Sequence, residues 1–236
     1  MIHYTLCDPD FEEYSLSEDG MMALPLTIRE DSDGAVTAES YSLTASAIKD
    51  VCDGFEESLF TREAHDAVMK VLNSEMEKHG YCSVPETGDV LLEFIHDAST
   101  IATAPDSAIP YVILNTNEEI SAYRTHTSSW CLEVDDDDPA DAVCAVIAGG
   151  SIVAFACIND VSEYGYEATV ECAPSHRGRG YGSACAYGIA RHVLEMCPDE
   201  TVSYVCRERN VASHKTALRA GYVMSGRRRD YVFYRD

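Results

Sequence analysis

The chain has 236 residues and carries 41 Asp and Glu against 17 Lys and Arg, a formal net charge of −24. That length has room for one large or two small domains with a substantial core. A composition of 46% hydrophobic and 25% charged residues excludes disordered and fibrous classes, and the absence of any apolar run of about 18 residues excludes a membrane-spanning helix.

Met1 to Asp8 lack a basic stretch followed by an apolar one, so no signal peptide is expected and the expected location is cytoplasmic. Residues 1–45 mix short apolar runs with acidic turns and show no clean period. Residues 44–59 predict a helix, with Ala47, Ile48, Val51, Cys52 and Phe55 on one side. Residues 61–79 predict a second, with Ala64, Val68, Val71, Leu72 and Met76 on one side and Gly80 at its end. Short strands are expected at 90–95 and 111–114. Asp135 to Asp138 followed by Pro139 reads as an exposed turn. Four adjacent aspartates point in different directions, which favours solvation over cation coordination.

The pattern sharpens from Asp141 onward. Apolar, β-branched runs at 142–148 and 151–158 flank Gly149-Gly150, a hairpin signal. A third strand at 166–173 stops at Pro174. Residues 182–197 predict a helix whose apolar face is Ala186, Ile189, Ala190, Val193 and Leu194. A strand at 202–206 and a helix at 211–220, closed by Gly221, follow. Residues 222–224 and 231–234 flank Gly226 and three arginines and predict a final hairpin. The order β-β-β-α-β-α-β-β implies an α/β fold with a mixed sheet and helices packed on it. The expected organisation is a variable N-terminal α/β region over 1–125 and a core over 126–236.

Ten cysteines occur without any C-x-x-C pair, and Cys144, Cys157, Cys185 and Cys206 sit inside apolar runs. Reduced thiols used as small core residues are expected, and no metal site. Charge is distributed unevenly. From Pro174 onward there are 11 Lys and Arg against 6 Asp and Glu, a net of +5, whereas the first 173 residues carry −29. The basic segment suits an anionic ligand. The acidic remainder opposes nucleic-acid binding and favours cationic small molecules, although surface acids also serve solubility alone.

The stretch from Cys172 to Ser183 carries the chemistry. A strand ends, a proline turn follows, and Gly178, Gly180 and Gly182 open a helix. Alternating glycines let backbone N–H groups converge at a helix N-terminus, where the dipole favours negative charge. Arg177 and Arg179 add positive charge beside it. A pyrophosphate suits such a cradle. The Walker loop is excluded because no lysine follows the glycines. The Rossmann turn is excluded by the G-x-G-x-G spacing and the late position between antiparallel hairpins.

Arg177-Gly178-Arg179-Gly180-Tyr181-Gly182 resembles the (Q/R)-x-x-G-x-(G/A) signature of the GNAT superfamily of N-acetyltransferases. Asn210-Val211-Ala212-Ser213 and Ala220-Gly221-Tyr222 resemble the family's N-x-x-[AS] helix start and closing G-[FY]. The resemblance covers about 141–236. It implies a mostly antiparallel, twisted sheet with helices on both faces and a splayed parallel strand pair. It also implies acetyl-CoA as cosubstrate, with no metal, and direct transfer of the acetyl group to a primary amine. Carried over by position, the backbone of Cys172 would bond the pantetheine arm. The amides of Arg177, Gly178, Arg179, Gly180, Tyr181, Gly182 and Ser183 would hold the pyrophosphate. Asn210 and Ser213 would meet the cofactor from the other side, a role compatible with Asn210 as a plain helix N-cap. Glu167 and Glu171 share one face of the preceding strand by the two-residue period. Glu167 stands where some family members carry a general base.

The sequence departs from the family at Ala217, where many members place the tyrosine that protonates the leaving thiol. Tyr222, with His214 and Tyr187, is then a candidate proton donor. The acidic charge points to a cationic acceptor, a small molecule or a peptide amine. A homodimer is an option the family brings, and neither nucleic acid nor membrane is an expected partner. A catalytically silent acyl-CoA-binding sensor or scaffold is the alternative.

Overall fold

The computed structural model describes residues 2–6, 21–40, 44–55, 58–103, 108–125, 132, 134–135, 138, 141–162 and 165–235. Chain order is β1 (Ile2–Leu6), β2 (Met22–Asp31), β3 (Val36–Ser40), α1 (Ala45–Cys52), α2 (Arg62–Met76), β4 (Tyr81–Ser83), β5 (Val90–His96), α3 (Ala98–Thr103), β6 (Val112–Leu114), α4 (Asn117–Ser121) and β7 (Arg124–Thr125). It continues with β8 (Val143–Ala148), β9 (Ser151–Ser162), β10 (Gly165–Cys172), α5 (Tyr181–Met196), β11 (Val202–Arg207), α6 (Val211–Arg219) and β12 (Val223–Arg235). Strand pairs are mostly antiparallel, with β1–β3, β7–β9 and β10–β11 parallel. The fold is a mixed, mostly antiparallel α/β architecture. The chain divides into two compact units, Met1–Leu92 with Arg207–Arg209 and Ser225–Asp236, and Glu93–Cys206 with Asn210–Met224.

In the first unit the strand order is β1-β3-β2-β12, and β4 also pairs with β12. Helix α2 forms because Thr61 caps it, its hydroxyl accepting the Ala64 N–H at 3.1 Å. Ala64, Val68, Leu72 and Met76, spaced by one turn, are its buried stripe. That stripe packs with Ile48 and Cys52 of α1, Leu26 and Ile28 of β2, and Tyr231 and Phe233 of β12. Helix α1 ends at Cys52, short of the expected residue 59, because the chain turns there and the Phe55 N–H bonds the Cys52 carbonyl.

The expected C-terminal hairpin is corrected to one continuous strand, β12. Gly226 does not take a left-handed backbone. It is a glycine because a Cβ there would sit 2.6 Å from the Glu30 carbonyl oxygen of the paired strand β2. The three arginines therefore lie along the strand rather than in a turn. Arg227 bonds Glu30 at 2.9 Å and Arg228 bonds Asp230 at 2.9 Å. Arg229 is buried, donating to the carbonyls of Gly88, Phe60 and Thr61.

In the second unit the order is β6-β8-β9-β10-β11. The β8–β9 hairpin turns at Gly149 and Gly150, both at positive φ, as their pairing predicts. Helix α5 lies across β8, β9 and β10. Its close approach depends on Gly188, where any Cβ would collide with Cys144 and Tyr111. All eight described cysteines are free thiols. No helix among the described residues is long and apolar enough to cross a membrane.

Candidate active site

The turn from β10 into α5 is built by a clamp, a kink and a nest. Ala173 donates its N–H to Val153 at 2.9 Å, which fixes the end of β10 against β9. Pro174 then opens a single 3-10 turn, Pro174–His176. Arg177 is extended, and Gly178 and Gly180 follow at φ 75° and 83°. Two left-handed residues separated by one ordinary residue turn successive N–H groups to one side, the arrangement of an anion nest. Gly180 is the N-cap of α5 and itself supplies no side-chain cap. The first intrahelical bond runs from Ala184 to Gly180 at 3.0 Å, so the N–H groups of Tyr181, Gly182 and Ser183 precede any helical partner.

Space around the turn is uneven. An added Cβ at Gly178 would meet nothing within 4 Å. At Gly180 it would lie 3.0 Å from Ile109, and at Gly182 3.5 Å from Val170 and 3.6 Å from Thr216. Arg177 and Arg179 are exposed at the rim and fold back onto backbone carbonyls, Arg177 Nε to Cys172 at 3.1 Å and Arg179 Nη2 to Ser175 at 3.3 Å. The Tyr181 ring stacks on His176 at 6.3 Å.

Beside the turn, two strands part. β10 and β11 pair at only two positions, Tyr166 with Val202 and Glu167 with Ser203. The Tyr166 N–H still reaches the Thr201 carbonyl at 3.0 Å. Beyond Glu167 the strands separate, although β10 runs on to Cys172. Backbone groups alternate sides along a strand. Tyr166 points toward β11 and Ala173 toward β9, so the backbone edges of Ala168, Val170 and Cys172 face the gap. Past the end of β11, Asn210 caps α6, its side-chain oxygen accepting the Ser213 N–H at 3.2 Å. The Ser213 hydroxyl lies 2.7 Å from that of Tyr204, a buried tyrosine at the first β11 position past the paired rungs.

The two carboxylates occupy the other face. Val170 touches the Gly182 position, which sets the even-numbered β10 side chains toward α5. Glu167, Thr169 and Glu171 therefore project from the opposite face of the sheet. Both glutamates are half-buried. Cys172 faces α5, and burial followed by neighbouring Cys185 raises its thiol above the usual range against the opposing pull of Arg177 and Arg179.

The residues singled out from sequence thus form two groups. Cys172 and Arg177 to Ser183 form the end of β10 and the turn, whereas Asn210 and Ser213 stand at the start of α6, whose Thr216 neighbours Gly182. Tyr222 stands apart. It is 2% exposed, its hydroxyl donates to the Ala186 carbonyl at 3.4 Å, and burial raises its pKa strongly. His214 packs on Phe94 at 5.4 Å, and Ala217 is buried. Ile109, Thr216 and Tyr204 were not legible as neighbours of the site. Each comes from a different element, and only tertiary folding brings them there.

A further cavity of about 310 Å³ lies at the opposite end of β10, lined by Asp135, Asp138, Asp141, Asp160 and Tyr166 among others. Burial raises the Asp141 carboxyl pKa, and neighbouring Asp138 and Asp135 add to the effect.

Residues 110–222 match the family model of the acetyltransferase (GNAT) family. That segment, just under half of the chain, is similar to a GNAT acetyltransferase domain. The chain's fold resembles a Drosophila protein of 13% identity, with a TM-score of 0.50 over 84% of this chain and 70% of that one. A GCN5-related N-acetyltransferase from Kribbella flavida is 16% identical, with a TM-score of 0.46 over 73% of this chain and 74% of that one. A GNAT-family acetyltransferase from Colwellia psychrerythraea is 14% identical, with a TM-score of 0.42 over 61% of this chain. The match spans 56% of that protein's length. No curated protein matches the sequence.

Proposed function

We propose that the chain is an N-acetyltransferase that moves an acetyl group from acetyl-CoA to a primary amine by direct transfer. What carries this reading is the two-rung pairing of β10 and β11, which opens a gap beside the left-handed Gly178 and Gly180 turn. The turn fits a diphosphate through its convergent N–H groups, its two rim arginines and the space over Gly178. The gap fits an extended arm bearing amides, because the free edge of β10 offers alternating N–H and C=O groups as a sheet edge does.

When bound, acetyl-CoA supplies the acetyl group as an activated thioester. The nest amides of residues 178–183 hold the diphosphate, Cys172 bonds the arm, and Asn210 with Ser213 closes the far wall. Glu167, at the last paired rung, serves as the base that takes the proton from the acceptor ammonium, with Glu171 the second candidate. The raised Cys172 thiol is protonated at neutral pH, which disfavours an acetyl-cysteine intermediate and supports direct transfer. Tyr222 is a packing residue in this reading, since its hydroxyl is turned into the core.

The acceptor in this reading is cationic. The carboxylate-lined cavity beside Tyr166 and the excess of acids across the chain both favour a polyamine or a basic amine over an amino acid. A thiol-release assay with purified protein, acetyl-CoA and a panel of amines tests this. Turnover with polyamines or basic amines above anionic amino acids is the expected result, and the reverse preference would overturn the acceptor class. Ala217, in place of the family's tyrosine, favours a second reading as an acyl-CoA-binding sensor. Acetyl-CoA binding without CoA release for any amine would select it.

A further inference from the structure

The Arg177 guanidinium lies between the two halves of the proposed cofactor site. Its Nε donates to the Cys172 carbonyl at 3.1 Å, and that carbonyl is the last group on the β10 edge facing the gap. The same residue begins the turn whose amides form the nest. Arg177 is exposed, so its side chain can change partners without disturbing a core.

We infer that Arg177 is an internal placeholder that couples the diphosphate and pantetheine halves of the cofactor site. This rests on the acetyl-CoA reading above. The guanidinium Nε donates to the carbonyl that the arm would use. A diphosphate in the nest offers the guanidinium a charge-assisted partner, roughly twice as strong as a neutral carbonyl. Arg177 then leaves Cys172, and the carbonyl becomes available to an amide N–H of the arm. Binding at either half favours the other by the same factor, since the coupling is reciprocal. One net neutral hydrogen bond is at stake, which sets that factor at about fivefold.

Arg179 provides an internal contrast. It adds the same charge at the rim but folds back to Ser175, away from the gap. Charge alone would make the two arginines equivalent, whereas the placeholder role belongs to Arg177.

Calorimetry with two probes tests this. Pantetheine is titrated into wild type, Arg177→Ala and Arg179→Ala, each with and without saturating ADP, and acetyl-CoA is titrated into wild type. For wild type, ADP is expected to tighten pantetheine about fivefold. Arg177→Ala is expected to bind pantetheine alone about as tightly as wild type does with ADP, with no further gain when ADP is added. Arg179→Ala is expected to bind ADP more weakly and to keep the coupling. If wild type binds acetyl-CoA but shows no coupling, or if Arg177→Ala leaves pantetheine affinity unchanged, the placeholder role is wrong and the cofactor reading stands. If wild type does not bind acetyl-CoA, the cofactor reading fails and the placeholder falls with it.

Discussion

The Nε2 atom of His96 lies 3.0 Å from the carbonyl oxygen of Ala220, joining the end of β5 to the end of α6. The carbonyl accepts, so Nε2 carries the proton, and Nδ1 faces the Thr100 hydroxyl at 3.1 Å. Tyr222 packs on the imidazole at 4.2 Å between ring centres. His96 is fully buried. His96→Ala leaves both a cavity and an unpartnered Ala220 carbonyl. Urea unfolding is expected to show a loss of about 2–4 kcal/mol. A loss under about 1 kcal/mol would mean that the bond does little to hold α6.

Acid should weaken the fold in two steps. Burial lowers the His96 pKa, and burial together with Arg229 lowers that of His65. The unfolded chain then binds more protons than the folded one once pH drops below about 6.5. Stability is full above that pH and falls through it toward the folded values. Asp97 is held at about 2 by the Thr100 N–H, the Ser99 hydroxyl and the remaining Ser99 and Thr100 donors. Its contribution is present above about pH 4 and is lost as pH falls toward the folded value. Urea midpoints should therefore be level from pH 8 to 7, fall by pH 5.5, and fall again below pH 4. Asp97→Asn should flatten only the lower step. A midpoint unchanged between pH 7.5 and 5.5 would contradict the histidine assignment.

Gly188→Ala addresses the packing of α5. The added methyl would run into the Cys144 sulfur and the Tyr111 ring, neither of which is the free end of a flexible chain. Overpacking of this kind costs about 1–3 kcal/mol. The thermal midpoint should drop by several degrees, and a midpoint equal to wild type would mean that α5 shifts freely on the sheet.

Tyr231→Phe should behave in the opposite way. The Tyr231 hydroxyl is fully buried and has no hydrogen-bond partner among the described residues. Removing an unmatched polar group from a core is neutral or stabilising, within about 1 kcal/mol. A loss of 2 kcal/mol or more in chemical unfolding, well beyond that neutral range, would reveal a partner for the hydroxyl.

Local signals were legible where a residue type has one conformational use. Gly149-Gly150, Pro174 and the glycines at 178 and 180 marked a hairpin, a strand end and a turn, and each does so in the structure. The apolar period of α5 and the Asn210 cap were equally plain. Gly226 misled because a glycine required by a neighbouring strand looks, in one dimension, like a glycine required by a turn. Strand β2 was missed because burial from Pro25 to Ile28 is continuous rather than alternating, and β3 because only Ala38 and Ser40 of its five residues are buried. The parting of β10 and β11 has no local signature at all. It is a relation between residues 166 and 202, expected from the family resemblance and not from any residue pattern.

Acetyl-CoA calorimetry on wild type and Gly178→Glu tests the cofactor site most directly. Space is open around the Gly178 Cβ position, so the added cost to the fold is about 1–2 kcal/mol for the left-handed backbone. The carboxylate also places negative charge in the nest. Wild type is expected to bind with a micromolar dissociation constant, and Gly178→Glu to lose at least about thirtyfold, roughly 2 kcal/mol, while still melting cooperatively. No binding by wild type at millimolar acetyl-CoA, or equal binding by a folded Gly178→Glu, would contradict the assignment of this turn as the cofactor site.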